Sequence, residues 1–301
     1  MINLKKAAGT NRPRERKRCG MGHTLEAQAR EKRLLFLDLD GTLLNDEKEI
    51  TPGNRQALAR ALEKGHGIVI TTGRPLKSAM DQAGRLGLDR PGCCLIAYNG
   101  AVVYDWTAGE QVFSRTLSFD QVNRVFGRMN RMGIHIQTYD RWTVVVEPRC
   151  DDEAVRRYCG MIGMEHRVVE DVRTGLTEEP VKILLIDYNG KAELLKAEAW
   201  LREHMGEEVD CFFSCDQYLE VVPKGMNKGE ALVRLSRELG VPVEKTVAAG
   251  DAANDLTMLA AAGIGAAMAN GAPEVKAIAD YVTERDNNHD GVAEVVERFM
   301  L

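Results

Sequence analysis

Two aspartates, two residues apart, close an apolar run. In "LLFLDLDGTLL", which spans Leu34 to Leu44, they are Asp38 and Asp40, followed by Gly41 and Thr42. Withdrawing even one bare carboxylate from water is costly unless a cation or hydrogen-bond donors compensate. Two carboxylates at the end of so greasy a segment imply a divalent cation, and an all-oxygen donor set favours Mg²⁺. Gly41 lets the chain turn sharply, and Thr42 is placed to hydrogen-bond back to the acids. A solvated acidic turn is the plainer alternative, but it fits poorly after an apolar strand.

Of three further clusters, two could serve an anion and the third adds carboxylates. Thr72 sits in "TTGRP", where its hydroxyl and the open backbone N–H groups at Gly73 suit a phosphate oxygen. Taken alone, a turn before a helix would explain it. Arg74 is open between reaching a ligand, meeting the middle of the chain, and serving as a surface charge. Lys228, in "PKGMNKGEAL", begins an expected helix, where it can neutralise an anion that the helix N-terminus also attracts. Lys224 is a rival four residues earlier. "AAGDAANDLTML" puts Asp251 at a strand end with Asn254 and Asp255 just after it. A helix N-cap would explain one of these acids. It does not explain why an apolar strand ends in an acid here as at Asp38.

Strands and helices alternate around these residues. Leu34–Leu39 is a nearly continuous apolar run, as in a parallel strand buried on both faces. Thr51-Pro52 reads as an N-cap with proline at the first helical position. Ala57, Leu58, Ala61 and Leu62 share one helical face, and Gly65 and Gly67 are expected to end that helix. "IVITTG" is a second buried strand. The grammar returns near the C-terminus, with a helix over "KGEALVRLSRELG", the strand "TVAAGD", the helix "NDLTMLAAAG" and short strands at "GAAMA" and "DYVT". The two ends therefore predict one α/β, doubly wound parallel-sheet (Rossmann-like) core over residues 31–113 and 223–301. The middle, 114–222, reads as an inserted α+β domain, with strands "RWTVVVEP", "VKILLIDY" and "YLEVVP" and helices over Asp151–Met161 and Gly190–His204. In an open parallel sheet, ligands bind beyond the carboxyl ends of the strands. Asp38, Thr72 and Asp251 all stand at such ends.

Composition excludes several classes. The 301-residue chain is 44% hydrophobic and 28% charged, an ordinary globular mixture. Its net charge of −5 gives no field suited to nucleic acid. No apolar run reaches the ~20 residues of a membrane-spanning helix. Seven cysteines lacking CxxC spacing argue against a disulfide framework or a zinc site, and point to reduced thiols in a cytoplasmic protein. Residues 1–30 are basic and lack apolar periodicity. They are expected to be a disordered extension rather than a nucleic-acid or membrane tether, with Met21 a candidate start.

DxDGT, then TGR, then an isolated KG, then GDxxND resembles the haloacid dehalogenase superfamily of aspartate-nucleophile phosphatases. More narrowly, the chain resembles the Cof-type phosphatases, in which a cap is inserted between the second and third motifs. The resemblance covers about Leu34 to Val296, including "AYNGAVV", where Asn99-Gly100 is expected to form a hairpin turn, and the tail from Ala267. It implies that Asp38 is the nucleophile and that Asp40 protonates the leaving oxygen and later deprotonates water. Mg²⁺ would be held by Asp38, the backbone carbonyl of Asp40 and Asp251, with Asp255 in support. Thr72, Gly73, Lys228 and Asn254 would bind the phosphoryl oxygens. The substrate implied is a small phosphorylated metabolite, a sugar phosphate or a phosphorylated cofactor, selected largely by residues 114–222. There Trp142, Tyr139 and His135 could face the cleft, although core packing is the expected use of each. Phosphoryl transfer to a second hydroxyl and non-catalytic Mg²⁺/phosphate binding are the competing readings.

Overall fold

The computed structural model describes residues 32–140 and 142–301, so the basic segment expected to be disordered lies outside the described residues. The chain enters through β1 (Leu34–Leu37) and continues into β2 (Gly67–Thr71), β3 (Cys93–Ala97), β4 (Val102–Asp105) and β5 (Glu110–Ser114). It then builds β6 (His135–Asp140), β7 (Thr143–Val146), β8 (His166–Val168), β9 (Ile183–Ile186), β10 (Val209–Cys215) and β11 (Tyr218–Pro223). It returns through β12 (Thr246–Gly250), β13 (Ile264–Ala267) and β14 (Tyr281–Val282).

These strands form two sheets. The first has the order β14-β13-β12-β1-β2-β3-β4-β5. From β14 to β3 it is parallel, and β4 and β5 extend it antiparallel. This is the predicted α/β core. Period-two alternation explains why β1 is apolar throughout. Leu35 and Leu37 pack on one face with Ala57, Leu58 and Ala61 of the helix Pro52–Glu63 and with Val292, Val295 and Val296 of the helix Gly291–Phe299. Leu34 and Phe36 pack on the other face with Ala231, Leu232 and Leu235 of the helix Lys228–Glu238. Each fully buried Leu, Val or Phe among them contributes about 2 kcal/mol. Together they fix the end of β1, and hence Asp38, against a rigid support.

The second sheet has the order β10-β11-β9-β6-β7-β8 and is antiparallel except for the β7–β8 pair. Its helices include Phe119–Met132, Glu153–Ile162 and Ala192–Met205. Phe119–Met132 starts at a reciprocal Ser118–Gln121 capping box.

Several local expectations change. Thr51 precedes the helix Pro52–Glu63, but its hydroxyl donates to Asp290 instead of capping. Gly65 turns the chain at φ 84°, whereas Gly67 is already the first residue of β2. The Asn99-Gly100 connection is a 3₁₀ turn over Tyr98–Gly100 between antiparallel β3 and β4, not a two-residue hairpin turn. Tyr98, Asn99 and Gly100 all have positive φ, and a Cβ on Gly100 would lie 2.5 Å from the Asn227 carbonyl oxygen. That close approach brings the turn against the start of the helix carrying Lys228.

Candidate active site

Asp38 leaves the end of β1 almost completely buried. Lys228, fully buried at the first position of its helix, reaches it. The Nζ donates to Oδ1 of Asp38 and to Oδ1 of Asp255, each at 2.6 Å. Asn227 caps that helix by accepting from the Glu230 N–H, which fixes the direction in which Lys228 departs. Lys224, the rival, lies on the surface and pairs with Asp210 at 2.9 Å.

Asp251 follows β12, beside β1 in the sheet. One carboxylate oxygen from each of Asp38, Asp251 and Asp255 falls within 4.8 Å of the others, so residues more than two hundred positions apart converge on one ion-sized centre. Thr42 was expected to bond back to Asp38 or Asp40. Its hydroxyl instead donates to Oδ1 of Asp251 at 2.7 Å. Gly41, at φ 84°, makes room for this, because a Cβ there would sit 2.4 Å from Oδ2 of Asp251. Asp255 is fully buried, and its second oxygen accepts the N–H groups of Asp251 and Ala252, both at 3.0 Å. With both oxygens engaged, it braces the loop that presents Asp251.

Three acids sharing one ammonium lack positive charge. Burial pushes the Asp38 carboxyl up to about 8, against the pull of Lys228 and with Asp255 and Asp251 adding to the rise. Burial likewise pushes Asp251 up to about 6, opposed by the Thr42 hydrogen bond. Lys228 goes the other way. Burial disfavours its charge, but Asp38 and Asp255 outweigh this and hold it well above the ordinary range. A small divalent cation would supply the missing charge, and the all-oxygen donor set fits Mg²⁺.

Asp40 points elsewhere. Arg74 grips it with two hydrogen bonds, Nε to Oδ2 at 2.8 Å and Nη2 to Oδ1 at 2.7 Å, and Lys48 adds a third at 3.1 Å. Burial acts to raise its carboxyl, but Arg74 and Lys48 win and hold it below the usual range. Its carboxylate is therefore outside the three-acid group. Arg74 thus pairs with Asp40 and also lines the cleft in which a ligand would sit.

Thr72 is buried just past the end of β2, and its hydroxyl accepts from the Arg74 N–H at 3.2 Å. Asn254 is exposed and donates to Oδ1 of Asn99 at 3.3 Å. Asn99 was read from sequence only as a turn residue. It is buried, donates its N–H to the Thr72 carbonyl and stands against Gly73. Asp38, Asp40, Thr72, Gly73, Arg74, Asn99 and Asn254 line one cleft of about 330 Å³, whose opposite wall includes Tyr158, Lys182, Phe213, Tyr218 and Glu220. Tyr139 and His135 are buried as expected, with Tyr139 bonded to the Tyr158 hydroxyl. Trp142 is 49% exposed, so it is not a core residue.

A family model for haloacid dehalogenase-like hydrolases matches residues 35–296. A solved haloacid dehalogenase-like hydrolase from Bacteroides thetaiotaomicron is 33% identical, with a TM-score of 0.81 over 89% of this chain and 99% of that one. A 5-amino-6-(5-phospho-D-ribitylamino)uracil phosphatase of Bacillus subtilis is 30% identical over 272 residues, covering 88% of this chain and 97% of its own. An HMP-PP phosphatase of Serratia proteamaculans is 32% identical over 248 residues, covering 82% and 87% respectively.

Proposed function

Because the chain belongs to the haloacid dehalogenase-like hydrolases, in their Cof-type branch, we propose that it is a Mg²⁺-dependent phosphatase acting on small phosphorylated metabolites through an aspartyl-phosphate. The observation that carries this reading is the convergence of Asp38, Asp251 and Asp255, with buried Lys228 bonded to Asp38 and Asp255 and with Asp38 lining a cleft. The substrates named for the relatives, a phosphorylated ribitylaminouracil and HMP-PP, support the same substrate class.

In this reading an Asp38 oxygen attacks phosphorus in line and the bond to the leaving oxygen breaks. Asp40 gives that oxygen a proton. It then takes one from the water that attacks the aspartyl-phosphate, releasing inorganic phosphate and restoring Asp38. An incoming phosphate dianion competes for Arg74 and Lys48 and raises the proton affinity of Asp40 by its own charge. Lys228, the Thr72 hydroxyl, the Gly73 N–H and the Asn254 amide are the donors for the phosphoryl oxygens. Mg²⁺, held by Asp38, Asp251 and the Asp40 carbonyl, would offset the charge that builds on those oxygens. Asp255 keeps Lys228 and the Asp251 loop in place. Residues 114–222 act as the cap that covers the cleft and excludes water.

The test is release of inorganic phosphate from p-nitrophenyl phosphate. Turnover should need Mg²⁺, stop with EDTA, and fall by about 10⁴-fold or more in Asp38→Asn. A folded, Mg²⁺-loaded protein inert toward a broad panel of phosphomonoesters would overturn the reading.

A further inference from the structure

The wall opposite the nucleophile holds a second buried ion pair. Lys182, just before β9, is 1% exposed, and Glu220, on β11, is 5% exposed. Both line the cleft that contains Asp38 and Asp40. Lys182 Nζ lies 3.3 Å from Oε2 of Glu220. The pair is incomplete, since Oε2 of Glu220 is buried without a hydrogen bond among the described residues. The ammonium lies over the rings of Tyr98 and Tyr139, 5.7 and 5.4 Å from their centroids. Ring faces attract a cation but supply no acceptor comparable to oxygen. A buried carboxylate oxygen that has an ammonium at 3.3 Å but no aligned hydrogen bond is only partly compensated, and structures that retain such a group commonly use it.

We propose that Lys182 and Glu220 are specificity-determining residues that together read two adjacent hydroxyl groups on an uncharged, polyhydroxylated leaving group. This rests on the phosphatase reading and narrows its substrate class to phosphomonoesters of sugars or sugar alcohols. The pair presents a donor and an acceptor side by side. Neighbouring hydroxyls match it, because each can accept from the ammonium or donate to the carboxylate. Its net charge is zero, so a leaving group bearing a carboxylate or an amine would satisfy one half and oppose the other. Tyr158, Phe213 and Tyr218 flank the pair with apolar surface suited to the C–H face of a sugar ring or chain.

The test compares initial rates of the full-length, Mg²⁺-loaded protein on p-nitrophenyl phosphate, on sugar and polyol phosphates, and on their monodeoxy analogues. For the best polyhydroxylated ester, removing one of two adjacent hydroxyls is expected to lower kcat/KM by about 10- to 100-fold. In Glu220→Gln, and in the double variant Lys182→Met/Glu220→Gln that deletes both charges together, the kcat/KM ratio of that ester to p-nitrophenyl phosphate should fall by a similar factor, mainly through KM. The wild-type deoxy series needs no variant to fold. The inference is overturned if no single hydroxyl matters by more than about twofold, if the best leaving groups are charged or lack hydroxyls, or if folded variants keep the wild-type ratio. Inertness toward every ester, p-nitrophenyl phosphate included, would instead overturn the phosphatase reading and this inference with it.

Discussion

Two lysines are buried against carboxylates in this molecule, and they are finished to different degrees. Lys228, in the parallel-sheet core, donates to two carboxylates at 2.6 Å each. Lys182, in the inserted sheet, faces one carboxylate at 3.3 Å and two aromatic rings. An ammonium held by two aligned hydrogen bonds keeps a fixed position, as a reacting centre requires. One without an aligned partner leaves a place for a ligand group. Under the proposals above, the core would do the same thing to every ligand, and the inserted sheet would tell ligands apart.

The largest expected effect tests that contrast through stability. Lys228→Met leaves Asp38 and Asp255 facing each other without a cation, and should cost about 3–5 kcal/mol in the metal-free protein. Lys182→Met strands only Glu220, which can turn toward cleft water, and should cost about 1–3 kcal/mol. Urea midpoints at neutral pH in EDTA decide the order. If Lys182→Met proves the more damaging, the inserted pair is a structural element and the contrast fails.

A smaller effect concerns pH. Asp38 and Asp251 titrate near 8 and 6 in the folded protein, above the ~4 of an unfolded carboxyl. A carboxyl raised on folding favours the native state where it is protonated, and this contribution fades as pH climbs through the folded value. The metal-free protein should therefore lose stability between about pH 4 and about pH 8. Mg²⁺ binding to the deprotonated acids would reverse this loss, so the rise in Tm on adding Mg²⁺ should be larger near pH 8 than near pH 5. Equal rises at both pH values would mean that the ion does not sit among these acids.

Much of the core was legible in the sequence because its signals are local. An apolar run ending in an acid marks a buried strand aimed at a site, and Asp38 and Asp251 both carry that mark. Asn227, a capping residue just before Lys228, could also have told Lys228 from Lys224. Contacts that depend on tertiary approach were not legible. The partner of Thr42 is 209 residues away, and the choice of Asp40 by Arg74 depends on how two strand ends are spaced in the sheet. Asn99 was hidden by a turn signal strong enough to explain it alone. Lys182 and Glu220 left a fainter trace, as charged residues embedded in "VKILLIDY" and "YLEVVP" with no solvent-facing period to excuse them. The inserted sheet also holds β8 and β10, whose short or mixed sequences gave no clear alternation.

The smallest effect separates the two regions most cleanly. Thr42→Val keeps the side-chain shape but removes the hydroxyl that donates to Asp251. Asp251 then loses an interaction that both orients it and lowers its proton affinity. Mg²⁺ affinity, measured by calorimetric titration, should weaken by about tenfold, with a stability change of only about 1 kcal/mol. The ranking of phosphate esters should not move, because the Thr42 hydroxyl bonds to Asp251 and not to Lys182 or Glu220, the pair proposed to read the leaving group. Unchanged Mg²⁺ affinity would show that the Thr42 hydroxyl does not position the metal ligand. A changed ester ranking would show that the two sides of the cleft are not independent, and that reacting and selecting are not divided between the sheets.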